Sequence, residues 1–209
     1  MDAGETWEQV HLLPHLGEPS LTVLPHDVKG VGELRCVRRR QYSAMILILS
    51  RSTVAGPVVV LDARCPDGRG HYPGPAEPCN CDCRGVATST DGGTTWGQTS
   101  YDPSVPDPDC QGAILALSNG SVIMSNPNSA TDRINLSVRL GDVLVRCEEE
   151  AVVTWAEEAV SLSTPQTFGA YSSIFQTPDG KIGVLWETEG DQASRGCTGG
   201  SCSIVLSFL

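Results

Sequence analysis

Cysteines are the residues whose type and spacing most directly suggest chemistry. The chain has nine, and Cys79, Cys81 and Cys83 form the sequence CNCDC. Zinc sites normally combine a C-x₂₋₄-C pair with a distant second pair or histidines, and neither the C-x-C-x-C spacing nor the four histidines fit that pattern. A loop, with or without a disulfide, is therefore favoured over a metal, and no cofactor is expected. Cys197 and Cys202 could close a small disulfide loop in an oxidising compartment.

Arginines and a tyrosine in apolar segments are the other candidates for functional residues. Arg64 ends PVVVLDAR, Arg133 and Arg139 share SATDRINLSVRL, and Tyr171 lies in GAYSSIF. A guanidinium fork can bind a carboxylate through two hydrogen bonds. Taken alone, however, each arginine is more simply a solvated surface residue and the tyrosine a core or interface residue. Residue type by itself leaves both interpretations open.

The charge balance restricts the class of partner. The 209 residues carry a formal net charge of -11 with 14 basic residues, which argues against a nucleic-acid partner because phosphate binding needs clustered Lys and Arg. The one basic cluster, at 38–40, precedes YSAMILIL at 42–49, which is shorter than the roughly 20 apolar residues of a transmembrane helix. A buried strand is expected there. The beginning, MDAGETWEQV, lacks the basic and apolar regions of a secretory signal.

Short apolar stretches bounded by Gly, Pro, Asn or Asp predict the elements that position these side chains. Such stretches are typical of strands joined by tight turns in all-β folds. The sequences SNGS at 118–121 and PDGK at 178–181 predict two hairpins. A weak helical pattern covers 148–160. The predicted strands cover 57–62, 113–117, 121–124, 136–140, 170–175, 181–186 and 203–208.

A repeated turn distinguishes among the all-β folds. STDGGTTW at 89–96 fits Ser-x-Asp-x-Gly-x-Thr-Trp, DAGETW at 2–7 repeats its last six positions, and 142–155 holds a broken third copy. The aspartate can accept hydrogen bonds from turn amides, glycine allows a positive φ, and tryptophan can cover the sheet. Because a propeller repeats the same turn in each blade, the repeat predicts a β-propeller.

This motif resembles the Asp-box, or BNR repeat, of the sialidases (neuraminidases), and the resemblance extends over 57–209. The family's segments follow in order as VVLDAR, CRGVATSTDGGTTW, DPDCQGAIL, IMSNPNSATDRINLSVRL, GAYSSIF and DGKIGVLWE. It implies an all-β, sialidase-type six-bladed propeller. At about 50 residues per blade the chain would supply roughly four blades, so an incomplete propeller is expected over 1–209. Residues 26–56 look like an insertion relative to the family.

The resemblance also implies roles in binding. Arg64 and Arg133 match two members of the arginine triad that holds the carboxylate of sialic acid, and Arg139 is the competing choice for Arg133. Glu187, which closes VLWE, resembles the family's acid that orients the first arginine of the triad.

Two further residues match the family's catalytic pair. Tyr171 matches the nucleophile, and Glu18 in GEPSLTVL matches the glutamate that activates it. Sialidases depart from the usual two-carboxylate glycosidase scheme. The physical reason is that the carboxylate beside the anomeric carbon repels an anionic nucleophile, whereas a neutral phenol is not repelled.

The resemblance implies a retaining exo-α-sialidase acting on sialylated glycoproteins, oligosaccharides and gangliosides. In the family the first triad arginine and the acid/base aspartate precede the first Asp-box, so this chain by itself is expected to lack them. A non-catalytic propeller that binds sialoglycans or proteins is the alternative, and a disulfide-rich extracellular binding module is a third class. The family includes lysosomal, cytoplasmic, membrane-associated and secreted members, so no compartment or oligomeric state is predicted.

Overall fold

Three antiparallel sheets make up the computed structural model, which describes residues 17–23, 57–64, 81–145, 151–189 and 202–209. The first sheet contains β1 (Gly17–Val23), β2 (Val59–Arg64), β3 (Cys83–Ser89) and β4 (Ser100–Pro106). The second contains β5 (Ala113–Ala116), β6 (Val122–Pro127), β7 (Leu136–Val145) and β8 (Ala151–Trp155), with β9 (Val160–Ser161) also paired to β7. The third contains β10 (Gly169–Gln176), β11 (Ile182–Glu189) and β12 (Cys202–Phe208).

Each sheet is a meander, because β1 to β4, β5 to β8 and β10 to β12 each pair in chain order. Both the first and the third sheet contact the second. Among the described residues the sheets do not close into a ring. This arrangement confirms the prediction of an all-β, incomplete propeller. The described residues account for three sheets, and both the first repeat copy at 2–7 and the 42–49 stretch lie outside them.

The predicted strands and both hairpins are confirmed. Gly120 and Gly180 each have a φ of 89° in the turns that join β5 to β6 and β10 to β11. The helix interpretation of 148–160 is wrong, since Ala151–Trp155 is strand β8, paired to β7. Its Val-Val-Thr sequence is β-branched, which favours a strand over a helix. Among the described residues, no helical segment has the length and hydrophobicity of a membrane span.

Two apolar clusters hold the sheets against one another. The first joins the first and second sheets through Val60, Val86, Val105, Ile114, Val122, Met124 and Trp155. The second joins the second and third sheets through Ile123, Leu136, Val138, Val184 and Trp186. Burial of such a side chain contributes roughly 1.5–3 kcal/mol. The packed sheets therefore give a rigid base to the loops and strand ends above them.

The 89–96 turn joins β3 to β4 and has the hydrogen bonds expected of its sequence. The Asp91 carboxylate accepts from the Thr95 amide at 2.8 Å and from the Thr95 hydroxyl at 2.6 Å. The Ser89 hydroxyl donates to Asp91 at 2.7 Å and accepts from the Gly93 amide at 2.8 Å. Gly92 and Gly93 have φ values of 75° and 93°. The turn is thus a structural connection held by Asp91.

The broken third copy lies at the same place in the second sheet. Its aspartate, Asp142, is in β7 and pairs with Thr154 of β8. β7 and β8 are the third and fourth strands of their sheet, as β3 and β4 are of theirs. An extended strand pair therefore occupies the position that the short turn has in the first sheet.

Asp91→Asn should lower the free energy of unfolding near neutral pH. Hydrogen bonds from the Thr95 hydroxyl, the Thr95 amide and the Ser89 hydroxyl lower the pKa of Asp91 from 3.8 to about 2. A depressed pKa in the folded state stabilises the fold above pH 3.8, and this contribution disappears as the pH falls towards 2. The difference between the variant and the unmutated protein in urea unfolding should therefore be larger at pH 6 than at pH 3.

Asp82→Asn is the matched control for this experiment. Asp82 is an exposed aspartate, and it directly precedes strand β3. Its backbone carbonyl accepts from the Asp107 amide. Its positive φ of 45° suits asparagine as well as aspartate. An Asp91→Asn effect no larger than the Asp82→Asn effect would contradict the assignment of the turn to the Asp91 carboxylate.

Candidate active site

Arg64 and Arg133 meet at one backbone oxygen. Arg64 is the last residue of β2, and its Nη1 donates to the carbonyl of Asp109 at 3.1 Å. Arg133 lies between β6 and β7, and its Nη2 donates to the same carbonyl, also at 3.1 Å. The Nε of Arg64 is 3.3 Å from the Asp109 carboxylate. Two sheets therefore bring two guanidinium groups together, which creates a positively charged place suited to a carboxylate.

Tyr171 lies beside this arginine pair. The Arg133 guanidinium carbon is 5.5 Å from the centre of the Tyr171 ring, within the range of a cation–π interaction. The register of β10 against β11 is irregular between Gly169 and Ser172, and such irregularities redirect side chains. Tyr171 is 38% exposed, so an external molecule can reach it.

Glu187 adjoins Tyr171 from the neighbouring strand. It is in β11, it is half-buried, and its Oε2 accepts from the Tyr171 amide at 3.5 Å. Glu187 and Tyr171 therefore belong to the same group as the two arginines.

Glu18 is brought next to Arg64 along the backbone. β1 pairs with β2 so that Gly17 faces Arg64 and Pro19 faces Ala63, and Glu18 falls at the irregularity between the two pairs. The structure describes the backbone of Glu18 but not its side chain, so its catalytic role stays a prediction. The possible insertion at 26–56 also lies outside, although β1 and β2 on either side of it pair directly.

Arg139 has different surroundings from Arg133. It is buried in β7 and donates to the carbonyls of Ala156 at 2.6 Å and Glu157 at 2.8 Å, and to the Asn128 side chain at 3.3 Å. These bonds tie together the loops beside β7. Of the two arginines considered from the sequence, Arg133 is the one that contacts Asp109 and Tyr171.

Arg84 forms two fully buried ion pairs that the sequence alone does not predict. Arg84 of β3 forms two hydrogen bonds with the Asp62 carboxylate and one with Asp107. Burial alone would lower the pKa of Arg84, but the carboxylates of Asp62 and Asp107 outweigh it and raise that pKa. The available signal was an aspartate and an arginine inside neighbouring apolar strands, since buried charges are normally paired.

The structure describes some of the cysteines that the sequence singles out. Cys81 and Cys83 form a disulfide, one of the alternatives left open by the CNCDC sequence, while Cys79 and Cys197 lie outside the described residues. Burial raises the pKa of the Cys110 thiol to about 12, so at neutral pH it is an uncharged thiol rather than a nucleophile. In the part of the chain that the structure describes, no three His, Cys, Asp or Glu side chains form a group that could hold a metal.

Comparisons with known proteins identify the fold. No family model and no curated protein matches the sequence. The NanB sialidase of Streptococcus pneumoniae, bound to a chlorobenzylammonio-ethanesulfonate, matches with 21% identity over 89% of this chain and 23% of its own, at a TM-score of 0.54. NanB with Optactamide matches with 22% identity over the same shares, at a TM-score of 0.56. An intramolecular trans-sialidase from leech matches 62% of this chain and 18% of its own with 22% identity, at a TM-score of 0.49.

The chain spans about a quarter of the length of the NanB structures it matches. At this level of identity the likeness concerns the fold alone. The fold is that of the sialidases, and the meandering sheets described above are an incomplete propeller of that type.

Proposed function

We propose that this chain is part of a retaining exo-α-sialidase that removes terminal sialic acids from glycoproteins, oligosaccharides and gangliosides. The observation that carries the proposal is the meeting of Arg64 and Arg133 at the Asp109 carbonyl, beside the exposed ring of Tyr171. A pair of guanidinium groups next to an accessible phenol suits a sugar that carries a carboxylate at its reacting carbon.

Carboxylate binding is the first step. Arg64 and Arg133 would donate hydrogen bonds to the two oxygens of the sialic acid carboxylate, which fixes the sugar ring relative to the neighbouring side chains. The pair also offsets the charge that makes the anomeric carbon of this sugar unattractive to an anionic nucleophile.

Tyr171 would then act as the nucleophile. Its phenolic oxygen forms a bond to the anomeric carbon as the bond to the leaving oxygen breaks, and Glu18 accepts the phenolic proton. Water later breaks the tyrosine–sugar bond, and the two displacements together retain the anomeric configuration. The Glu187 carboxylate, which accepts from the Tyr171 amide, would help to position the nucleophile and, by the family resemblance, the first triad arginine.

Catalysis would require two further groups from the complete gene product. These are the first arginine of the triad and an acid that protonates the leaving oxygen. Hydrolysis should therefore be tested on the complete gene product with a fluorogenic α-sialoside, following the released sugar by proton NMR. The α-anomer should appear first; release of the β-anomer first, or no hydrolysis, would contradict the proposal.

A binding function without catalysis is the second candidate. Its support is that Arg64, Arg133 and Tyr171 come together within these 209 residues, and a carboxylate ligand needs no acid or base. The test is to titrate the 209-residue chain with sialic acid. Saturable binding, together with no turnover by the complete gene product, would favour this candidate over the enzyme.

A further inference from the structure

The buried arginine of β3 is connected to the candidate site by a short segment. Arg84 donates through Nε and Nη2 to the two carboxylate oxygens of Asp62, at 3.0 and 2.7 Å. Its Nη1 donates to Asp107 at 3.1 Å and to the Cys110 carbonyl at 2.6 Å. Both side chains of each ion pair are fully buried. One guanidinium group thus joins β2 to the residues that follow β4.

The residues from Asp107 to Gly112, here called the bridging segment, transmit this connection. The Asp107 carboxylate accepts from the Cys110 amide at 2.9 Å, which closes a tight loop around Asp109. Asp109 has a positive φ of 55°, in the left-handed region that aspartate adopts more readily than most residues, and this turns the chain sharply at that point. Its carbonyl is the oxygen that accepts from Arg64 and Arg133.

Close packing leaves the bridging segment little freedom. A Cβ atom on Gly112 would lie 2.9 Å from Nη2 of Arg84 and 2.9 Å from the Ser125 carbonyl. The segment is therefore pressed against the arginine on one side and β6 on the other. A change in how Arg84 is held would move the Asp109 carbonyl.

We propose that Arg84 is a positioning residue for the substrate: through the bridging segment it sets the spacing of Arg64 and Arg133, and thereby the affinity for the sialic acid carboxylate. Two guanidinium groups repel each other, so their separation depends on the acceptor between them. Asp109 supplies that acceptor, and Arg84 holds Asp107 and the Cys110 carbonyl on either side of it in the chain. The inference rests on the proposed function, because it takes a carboxylate sugar as the ligand.

Arg84→Lys tests the inference. Lysine keeps the positive charge but lacks the planar fork, so it cannot hold Asp62, Asp107 and the Cys110 carbonyl in one geometry. We expect KM of the complete gene product for a fluorogenic α-sialoside to rise about tenfold because the carboxylate clamp is displaced. The kcat value should change by less than about twofold, because the hydrogen bonds of Arg84 go to Asp62, Asp107 and Cys110 rather than to the nucleophile.

Arg139→Lys is the matched control. Arg139 is also buried, and it donates three hydrogen bonds where Arg84 donates four, but to residues outside the candidate site. It should lower the melting temperature and leave KM unchanged. An equal rise of KM in both variants, or an unchanged KM in Arg84→Lys, would overturn the inference.

A variant that fails to fold and an unmutated protein without activity are distinguished from failure of the inference alone. If Arg84→Lys does not fold, Asp107→Asn replaces it, since asparagine keeps the shape but weakens the hold on Arg84; its KM should rise about threefold, and an unchanged KM overturns the inference. If the unmutated gene product neither binds nor hydrolyses sialosides, the proposed function fails, and this inference fails with it.

Discussion

Tyr171→Phe is expected to reduce kcat for sialoside hydrolysis about 10³-fold or more, because the variant lacks the atom that bonds to the sugar. The protein should remain folded. The ring, which carries the contact with Arg133, is kept, and the side chain is already 38% exposed. The measurement is steady-state hydrolysis of a fluorogenic sialoside, with circular dichroism to verify the fold.

Tyr101→Phe provides the comparison for the same loss of a hydroxyl group. Tyr101 is a partly buried residue of β4, in a different sheet from Tyr171. Its variant should hydrolyse the substrate at the unmutated rate. A Tyr171→Phe protein as active as Tyr101→Phe would show that the phenol is not the nucleophile.

Arg133→Lys is expected to raise KM about 100-fold, because lysine cannot form the paired hydrogen bonds of a guanidinium group to a carboxylate. It should also lose the bond to the Asp109 carbonyl and the contact over the Tyr171 ring, so the remaining arginine would be less well placed. Initial rates over a range of sialoside concentrations measure this effect.

Arg139→Lys distinguishes the two arginines that the sequence left in competition. The same conservative change at Arg139 should leave KM unchanged, as its hydrogen bonds go to Ala156, Glu157 and Asn128. A larger KM effect at Arg139 than at Arg133 would assign the binding of the carboxylate to Arg139 instead.

Much of the fold follows from local sequence. The strands β5, β6, β10 and β11 could be predicted because each is a short apolar run and each pair is joined by an Asn-Gly or Asp-Gly turn. The helical pattern of 148–160 does not decide the structure there, because Ala151–Trp155 pairs with β7 as a strand. Pairing partners are tertiary information that a single run of residues does not contain.

The sequence predicts those members of the candidate site that contribute a side chain. Arg64, Arg133, Tyr171 and Glu187 were identified by the order of the family's segments, and the structure brings all four together. Asp109 was not identified, because it contributes a backbone carbonyl that every residue possesses. Arg84 was missed because its partners Asp62 and Asp107 become neighbours only when β2, β3 and the bridging segment are packed. Contacts that depend on packing remain hidden until the strands are assembled.

Trapping the covalent intermediate tests the central claim most directly. A sialosyl fluoride with a second fluorine beside the anomeric carbon should lose its anomeric fluoride as the nucleophile bonds to the sugar. The sugar should then be released slowly from the protein, because the remaining fluorine destabilises the charged transition state for hydrolysis. The complete gene product, treated with this reagent and digested, should yield a peptide carrying the sugar on Tyr171 by mass spectrometry. A sugar found on Glu18 or Glu187, or turnover of sialosides with Tyr171 unlabelled, would contradict the account.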